Sequence, residues 1–101
     1  MRTVAGAGVV VTGGGSGIGA ALARRFAAEG ARVVVNDLNV GAARAVADSC
    51  GAVAAPGDAA SEAGVTALIA AAREQLGEID LYCANAGIGR ASCRERVSNC
   101  V

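Results

Sequence analysis

Short apolar runs alternate along this chain with longer segments in which apolar residues recur every three or four positions. The runs predict strands at roughly residues 7–12, 31–36, 52–56 and 80–84. The longer segments predict helices at about 17–29, 40–49 and 61–76. Strands and helices that alternate in this way join through right-handed crossovers into a parallel sheet. The pattern therefore predicts an α/β fold with four strands, expected in the order 3-2-1-4, and three helices.

The first and last predicted helices carry recognisable apolar faces and end signals. Gly30 stands where the first helix should end. Ser61 is expected to cap the start of the last helix, and Gly77 is expected to end it. The apolar stripe of the first helix is Ile18, Leu22 and Phe26, and that of the last helix is Val65, Leu68, Ile69, Ala72 and Leu76.

The composition is that of one small globular domain. The chain has 101 residues, of which 53% are hydrophobic, and this is enough to bury a core. Nine basic residues balance nine acidic ones, so charge gives no reason to expect nucleic acid or an anionic membrane as a partner. No apolar stretch has the length of a membrane span, and Met1-Arg2-Thr3 leads into a strand rather than a signal peptide. We therefore expect a cytoplasmic protein.

The cysteines do not indicate a metal site. Cys50, Cys83, Cys93 and Cys100 form no closely spaced pairs, and the chain has no histidine. Structural zinc sites are built from close pairs of such ligands. We expect ordinary thiols here and no bound metal.

A glycine-rich stretch, Thr12 to Gly19, follows directly on the apolar run Val9 to Val11. A strand that runs through a glycine-rich turn into a helix presents backbone N–H groups and the positive end of a helix dipole to a ligand. Glycines there allow a tight turn, a close approach of phosphate to the backbone, and close packing of helix on sheet. The stretch predicts a dinucleotide site; the alternative is a turn of small residues without a ligand.

Asp37 lies eighteen positions after Gly19, at the end of the second apolar run. An acidic residue at this spacing accepts hydrogen bonds from the ribose hydroxyls of a dinucleotide, and it would repel a 2′-phosphate. The residue before Gly17 is Ser16, which is not basic and offers no charge to an extra phosphate. Both features favour NAD over NADP. The alternative for Asp37 is an ordinary turn or N-cap residue.

The pattern Thr-Gly, three residues, Gly, one residue, Gly is present at every fixed position between Thr12 and Gly19. In this respect the chain resembles the N-terminal part of a short-chain dehydrogenase/reductase. Epimerase-like relatives would place a glycine at position 16. The resemblance implies a Rossmann-like fold and NAD as cofactor. By this resemblance, two groups of residues are expected to bind the cofactor. In the loop they are Thr12, Gly13, Gly15, Ser16, Gly17, Ile18 and Gly19, and after the second strand they are Asp37 and Leu38.

Two further family marks follow in the expected order. Asp58, in Gly57-Asp58-Ala59, resembles the aspartate that family members place against the adenine amino group, with the backbone of Ala59 assisting; the alternative is a loop aspartate before a helix. The run Leu81 to Gly87 resembles the fourth strand and its Asn-Asn-Ala-Gly ending, although Ala84 replaces the first Asn. By resemblance, the nicotinamide ribose would lie near Asn85, Ala86 and Gly87.

The resemblance implies an NAD-dependent oxidoreductase that moves a hydride between nicotinamide and an alcohol or ketone, and a full-length protein that is a homo-oligomer. Family members carry a catalytic Ser, a Tyr and a Lys four residues after that Tyr. Here all nine basic residues are arginines, and the single tyrosine, Tyr82, falls in the fourth strand. We therefore expect no catalytic residue in this chain and no activity from it alone. The alternative function is a dinucleotide-binding fragment without catalysis, or an inert product.

The hydrophobic pattern of the last residues differs from that of the rest of the chain. From Arg90 onward neither apolar period continues, and Ile88 to Val97 resembles the translation of a common sequencing adapter. We divide the chain into an NAD-binding half-domain, 1–87, and a non-native or irregular tail, 88–101; the alternative is a natural short paralogue. On this division Leu81 to Ala84 would form an exposed sheet edge.

Overall fold

Strands and helices alternate along the chain as the apolar pattern predicts, and a fifth strand follows them. The computed structural model describes residues 5–15, 17–84 and 92–95. The elements are β1 (Gly8–Thr12), α1 (Gly17–Ala28), β2 (Arg32–Asn36), α2 (Val40–Cys50), β3 (Val53–Ala54), α3 (Glu62–Leu76), β4 (Leu81–Ala84) and β5 (Ser92–Glu95).

The strands form one sheet in the order β3-β2-β1-β4-β5. The first four strands are parallel, and Val10 at the centre of β1 pairs with Val34 of β2 and Tyr82 of β4. The order 3-2-1-4 and the three helices are therefore confirmed, and the fold is a Rossmann-like α/β fold. Because the chain reverses its direction of travel across the sheet after β3, the carboxyl ends of β1 and β4 form a switch point, where open α/β sheets bind ligands.

Both faces of the sheet are covered by helices, which explains why β1 and β2 each contain three consecutive valines. Side chains alternate along β1, so Val9 and Val11 face one layer and Val10 faces the other. The layer under α1 and α2 contains Val9, Val11, Ala20, Ala23, Val33, Val35, Ala43, Val46, Ala47 and Cys83. The layer under α3 contains Val10, Val34, Leu68, Ile69, Ala72, Leu76 and Ile79.

The predicted helix ends of α3 and α1 are confirmed. Ser61 Oγ accepts a hydrogen bond from the Gly64 backbone N–H at 3.0 Å and caps α3. Gly77 ends that helix with φ 79°, and Gly30 follows α1 with φ 93°. Both glycines have a positive φ, which other residues adopt only at a cost.

The predicted apolar stripe of α1 is wrong at its first member. Ile18 is 58% exposed, whereas Leu22 and Phe26 are partly buried against the core. Successive positions four apart rotate by about 40° around a helix of 3.6 residues per turn, so the ends of this stripe are about 80° apart. The helix instead buries its smallest side chains, Gly19, Ala20 and Ala23, which lets it lie close to the sheet.

The strand β5 lies within 88–101, where the apolar pattern predicts no strand. It pairs antiparallel with β4, with Leu81 opposite Glu95 and Ala84 opposite Ser92. Strand pairing uses backbone N–H and C=O groups and does not require an apolar period. The expectation that Leu81 to Ala84 forms an exposed edge is therefore wrong, because β4 lies between β1 and β5.

Candidate cofactor site

The glycine loop turns sharply out of β1 and opens toward solvent at the start of α1. Gly13 has φ 63° and Gly17 has φ 56°, both in the left-handed region. A Cβ atom added at Gly17 would have no heavy atom within 4 Å among the groups surrounding it. The backbone at the start of α1 is therefore open to a ligand, and the first turn of any helix directs N–H groups without intrahelical acceptors toward such a ligand.

Of the two glycines between them, Gly14 packs against β2 and Gly15 packs against Asp37, which follows β2. The Gly14 backbone N–H donates to the Asn36 carbonyl at 2.9 Å, and a Cβ at Gly14 would lie 2.8 Å from Val35 Cγ1. A Cβ at Gly15 would lie 2.8 Å from Asp37 Oδ2. Sequence reasoning missed Gly14, because the family pattern leaves its position open; the run of three glycines was the available signal.

The Asp37 carboxylate is held by the glycine loop and by its own turn. Its Oδ2 accepts from the Gly15 backbone N–H at 3.0 Å, and its Oδ1 accepts from the Asn39 backbone N–H at 2.9 Å. The second bond is the predicted alternative, a turn. The N-cap alternative is wrong, since Asn39 caps α2 by accepting from the Ala42 N–H at 2.9 Å. The structure thus brings Asp37 and the glycine loop into direct contact.

Thr12 connects the first strand to the fourth. It is 2% exposed, and its Oγ1 donates to the Cys83 carbonyl at 3.3 Å. This bond lies just before the segment that contains the candidates Asn85, Ala86 and Gly87. Those three residues and Ser16 lie outside the described residues.

The candidates after β3 lie on a short loop. Asp58 is exposed, and its Oδ1 accepts from the Ala60 backbone N–H at 2.7 Å, as a loop aspartate before a helix does. Ala59 packs against the core layer under α3. This hydrogen bond holds the Asp58 carboxylate within its own turn.

Asn36 is a second residue that sequence reasoning missed. It ends the otherwise apolar strand β2, is 2% exposed, and donates through Nδ2 to the carbonyls of Ala55 and Gly57 at 2.9 and 3.1 Å. In the sequence, the available signal for Asn36 was a polar residue at the end of an apolar run, because a buried amide needs hydrogen-bond partners.

Two large apolar side chains on the same edge of the sheet are exposed. Leu38, which follows β2, is 73% exposed, and Ile18, which opens α1, is 58% exposed. Apolar side chains beside a polar ligand cleft commonly contact the rings of that ligand. Their exposure leaves both available to a cofactor.

Tyr82 is the single tyrosine of the chain. It is half-buried in β4, and burial raises the pKa of its hydroxyl. Proton transfer near neutral pH needs the opposite shift.

Among the residues that the structure describes, no group of three or more His, Cys, Asp or Glu side chains is placed to hold a metal ion. Within the same residues no helix is long and apolar enough to cross a bilayer.

The parallel strands bring the described candidates to one edge of the sheet. Thr12 ends β1, Asp37 follows β2 and Asp58 follows β3. The carboxyl edge of an open α/β sheet is where such folds bind ligands, because the helix amino ends also point there.

Comparison with known proteins matches this chain to one family of sequences. A family model described as short chain dehydrogenase matches residues 7–100. The 3beta-hydroxysteroid dehydrogenase 1 of Eggerthella lenta is 45% identical over 96 residues, which cover 89% of this chain and 37% of that protein. The human 3-hydroxyacyl-CoA dehydrogenase type-2 is 40% identical over 93 residues, which cover 90% of this chain and 36% of that protein. The chain thus spans little more than a third of these relatives.

Solved structures agree with the family match. A short chain dehydrogenase/reductase from Burkholderia phymatum in complex with NAD superposes with a TM-score of 0.77 at 34% identity, over 81% of this chain and 31% of that one. A 3-ketoacyl-(acyl-carrier-protein) reductase from Brucella melitensis complexed with NADH superposes with a TM-score of 0.74 at 39% identity, over 77% of this chain and 33% of that one.

Proposed function

Since the chain belongs to the short chain dehydrogenase family, we propose that residues 1–87 form the NAD-binding half-domain of an NAD-dependent oxidoreductase. The full-length protein would transfer a hydride between nicotinamide and a small alcohol or ketone. The observation that carries this proposal is the contact between the Gly15 N–H and the Asp37 carboxylate at 3.0 Å, because it joins the phosphate-binding loop to a ribose acceptor. The solved relatives with NAD or NADH bound support the choice of cofactor.

The pyrophosphate would lie against the backbone from Gly13 to Gly19. The positive end of α1 and the N–H groups of its first turn favour anions there. The open space at Gly17 leaves room for phosphate oxygens to reach the backbone. Ser16 and Ile18 belong to the same segment and would contact this part of the cofactor.

Asp37 would receive the ribose hydroxyls and exclude a 2′-phosphate. Two backbone N–H groups hold its carboxylate, so it cannot turn away from an added negative charge without losing those bonds. Like charges at close range in a partly buried site repel strongly. The side chain therefore favours the unphosphorylated ribose of NAD.

The other candidates would contact the two ends of the cofactor. On the adenine side these are Leu38, Asp58 and Ala59. On the nicotinamide side these are Asn85, Ala86 and Gly87, with Thr12 supporting them through its bond to Cys83. When bound, NAD supplies the hydride acceptor, and the residues of this chain bind and orient it.

Calorimetric titration of the purified 101-residue chain with NAD tests the proposal. We expect saturable binding, and weaker binding of NADP. Circular dichroism on the same sample establishes that the chain is folded. A folded chain with no affinity for any nicotinamide nucleotide would contradict the proposed function.

A second candidate function, cofactor binding without turnover, is favoured by Tyr82. This single tyrosine lies in β4 with a raised pKa, and the chain contains no lysine to lower it. We expect the 101-residue chain with NAD to oxidise no member of a panel of secondary alcohols. Production of NADH above a protein-free control would reject this candidate.

The division at residue 87 leads to a separate test. The resemblance of Ile88 to Val97 to a translated adapter supports a non-native tail, whereas the family match runs to residue 100. Amplification of the locus should show a longer reading frame with a Ser and a Tyr-x-x-x-Lys pattern after Gly87. A locus that encodes residues 1–101 followed by a stop codon would reject the division.

For the full-length protein we also propose a cytoplasmic homo-oligomer without nucleic-acid or membrane partners.

A further inference from the structure

Asn36 has a buried side chain whose bonds the cofactor site described above does not use. Its carboxamide is 2% exposed at the end of an apolar strand, where an amide without partners would be costly. Both partners of its Nδ2 group are backbone carbonyls, those of Ala55 at 2.9 Å and Gly57 at 3.1 Å. The side chain therefore holds a neighbouring segment of backbone.

The held segment continues β3 beyond the point where regular strand pairing ends. Strand β3 stops at Ala54, although the Ala55 N–H still donates to the Val35 carbonyl at 2.8 Å. The next residue, Pro56, lies between Ala55 and Gly57, the two residues whose N–H groups donate to the β2 side. Asn36 donates to the carbonyls on both sides of this proline, so its side chain adds two hydrogen bonds to the backbone pairing of this segment.

The backbone pairing continues for one more hydrogen bond before the loop. The Gly57 N–H donates to the Asp37 carbonyl at 3.1 Å, and the next residue is Asp58. The backbone leading to Asp58 is thus held from the tip of β2 through Gly57 N–H, Gly57 C=O and Ala55 C=O. Asp58 itself is exposed, and its Oδ1 accepts a hydrogen bond from the Ala60 N–H of its own turn.

We propose that Asn36 is a positioning residue, which determines where Asp58 meets the adenine ring of the cofactor. This inference rests on the proposed function, because it requires NAD to bind at this edge of the sheet. Without the carboxamide, the Ala55 and Gly57 carbonyls lose their shared donor. The segment around Pro56 is then held to Val35 and Asp37 through the N–H groups of Ala55 and Gly57, and it can shift about those two bonds. Asp58 moves with it, and the hydrogen bond to the adenine amino group is lost while the glycine loop keeps its own contacts.

The test compares NAD with nicotinamide hypoxanthine dinucleotide, in which a carbonyl oxygen replaces the adenine amino group. A hydrogen bond to a carboxylate accounts for a preference of about tenfold or more, and we expect the unmodified chain to bind NAD that much more tightly. Asn36→Val keeps a strand-forming side chain and removes the donor. We expect this variant to bind the two dinucleotides with a ratio of about two or less.

Arg32→Met is the matched control. Arg32 lies at the opposite end of β2 and also donates to two backbone carbonyls, those of Leu76 at 2.6 Å and Gly6 at 3.2 Å. Its loss should lower the thermal unfolding temperature without changing the ratio of the two dissociation constants. In an Asp58→Ala background, Asn36→Val should likewise leave the ratio unchanged, because the acceptor is already gone.

The outcomes separate the two proposals. An unmodified chain that binds no nicotinamide nucleotide contradicts the proposed function. An unmodified chain that prefers NAD, together with an Asn36→Val variant that keeps the full preference, overturns the positioning role alone. An unmodified chain that binds NAD without preference over the hypoxanthine analogue also overturns it.

A measurement on the unmodified chain covers the case in which Asn36→Val does not fold. The Asn36 side-chain amide resonances should shift on addition of AMP, which carries the adenine end, and stay in place with nicotinamide mononucleotide. No shift with bound AMP would overturn the proposal.

Discussion

At the scale of single residues, two adjacent side chains at the carboxyl end of β2, Asn36 and Asp37, contact the segments that follow the two neighbouring strands. Asp37 contacts the loop after β1 through Gly15, and Asn36 contacts the segment after β3 through Ala55 and Gly57. Strand β2 lies between β1 and β3 in the sheet, so residues at its carboxyl end are within reach of the segments that follow both neighbours. The candidate ribose and adenine contacts are therefore coupled through two consecutive positions.

The Asp37→Ala variant tests the ribose assignment. Removing the carboxylate removes both the acceptor for the ribose hydroxyls and the repulsion of a 2′-phosphate. We expect the ratio of NADP to NAD dissociation constants to fall by about tenfold or more, measured by calorimetry. Asp48→Ala on the exposed side of α2 is the control for the loss of one negative charge. An unchanged ratio in Asp37→Ala would reject the assignment.

The Gly17→Ala variant tests whether the backbone at the start of α1 receives phosphate. Its φ of 56° makes alanine strained there by about 1 to 2 kcal/mol. The added methyl group would also occupy the space needed by the pyrophosphate, so we expect NAD affinity to fall by more than stability alone explains.

Gly51→Ala is the matched control for that variant. Gly51 ends α2 with φ 73° and likewise has no heavy atom within 4 Å of an added Cβ. Thermal unfolding should show a similar loss of stability for both variants. Equal NAD affinity in the two variants would contradict a phosphate contact at Gly17.

At the scale of elements, the helices gain stability from their end residues as well as from the core. In Ser61→Ala, α3 loses the hydroxyl that accepts from Gly64 N–H at 3.0 Å. We expect the free energy of unfolding in urea to fall by about 1 kcal/mol. Thr66→Ala on the exposed side of α3 should change it by much less. A Ser61→Ala chain as stable as the unmodified one would show that the cap contributes nothing.

At the scale of the whole molecule, Tyr82 couples folding to alkaline pH. Burial raises its pKa from 10.0, so the folded state disfavours the ionised form. The hydroxyl is neutral in both states well below pH 10.0; above it, the unfolded chain loses its proton first and folding becomes less favourable. We expect the free energy of unfolding to decrease as pH rises through and above this value.

Because Tyr82 is the single tyrosine, tyrosinate absorbance in the native chain reports its ionisation directly. Tyr82→Phe should remove the tyrosine contribution to this pH dependence. If the unmodified chain and the variant lose stability in parallel over that range, the raised pKa is not the cause.

The sequence by itself determined the parallel sheet, its order and the approximate bounds of its first four strands and three helices. Valine runs such as Val9–Val11 form strands buried on both faces, and local groups such as Ser61 and Gly77 end helices without help from distant residues. The resemblance of Thr12 to Gly19 to a family pattern also located the candidate phosphate loop. Local periodicity and local end groups were sufficient for the element bounds, whereas the strand order came from the general rule for doubly wound sheets and the loop from the resemblance.

Tertiary structure decided the features that depend on contacts between distant positions. Ile18 is exposed because α1 buries its small side chains against the sheet. Strand β5 forms because β4 has backbone groups to pair, which no apolar pattern records. The fit of Gly14 against Val35 and the bonds of Asn36 across Pro56 likewise depend on which strands become neighbours. Hydrophobic patterning specifies which face of an element is buried, whereas polar contacts at strand tips are specified only once the strands are assembled.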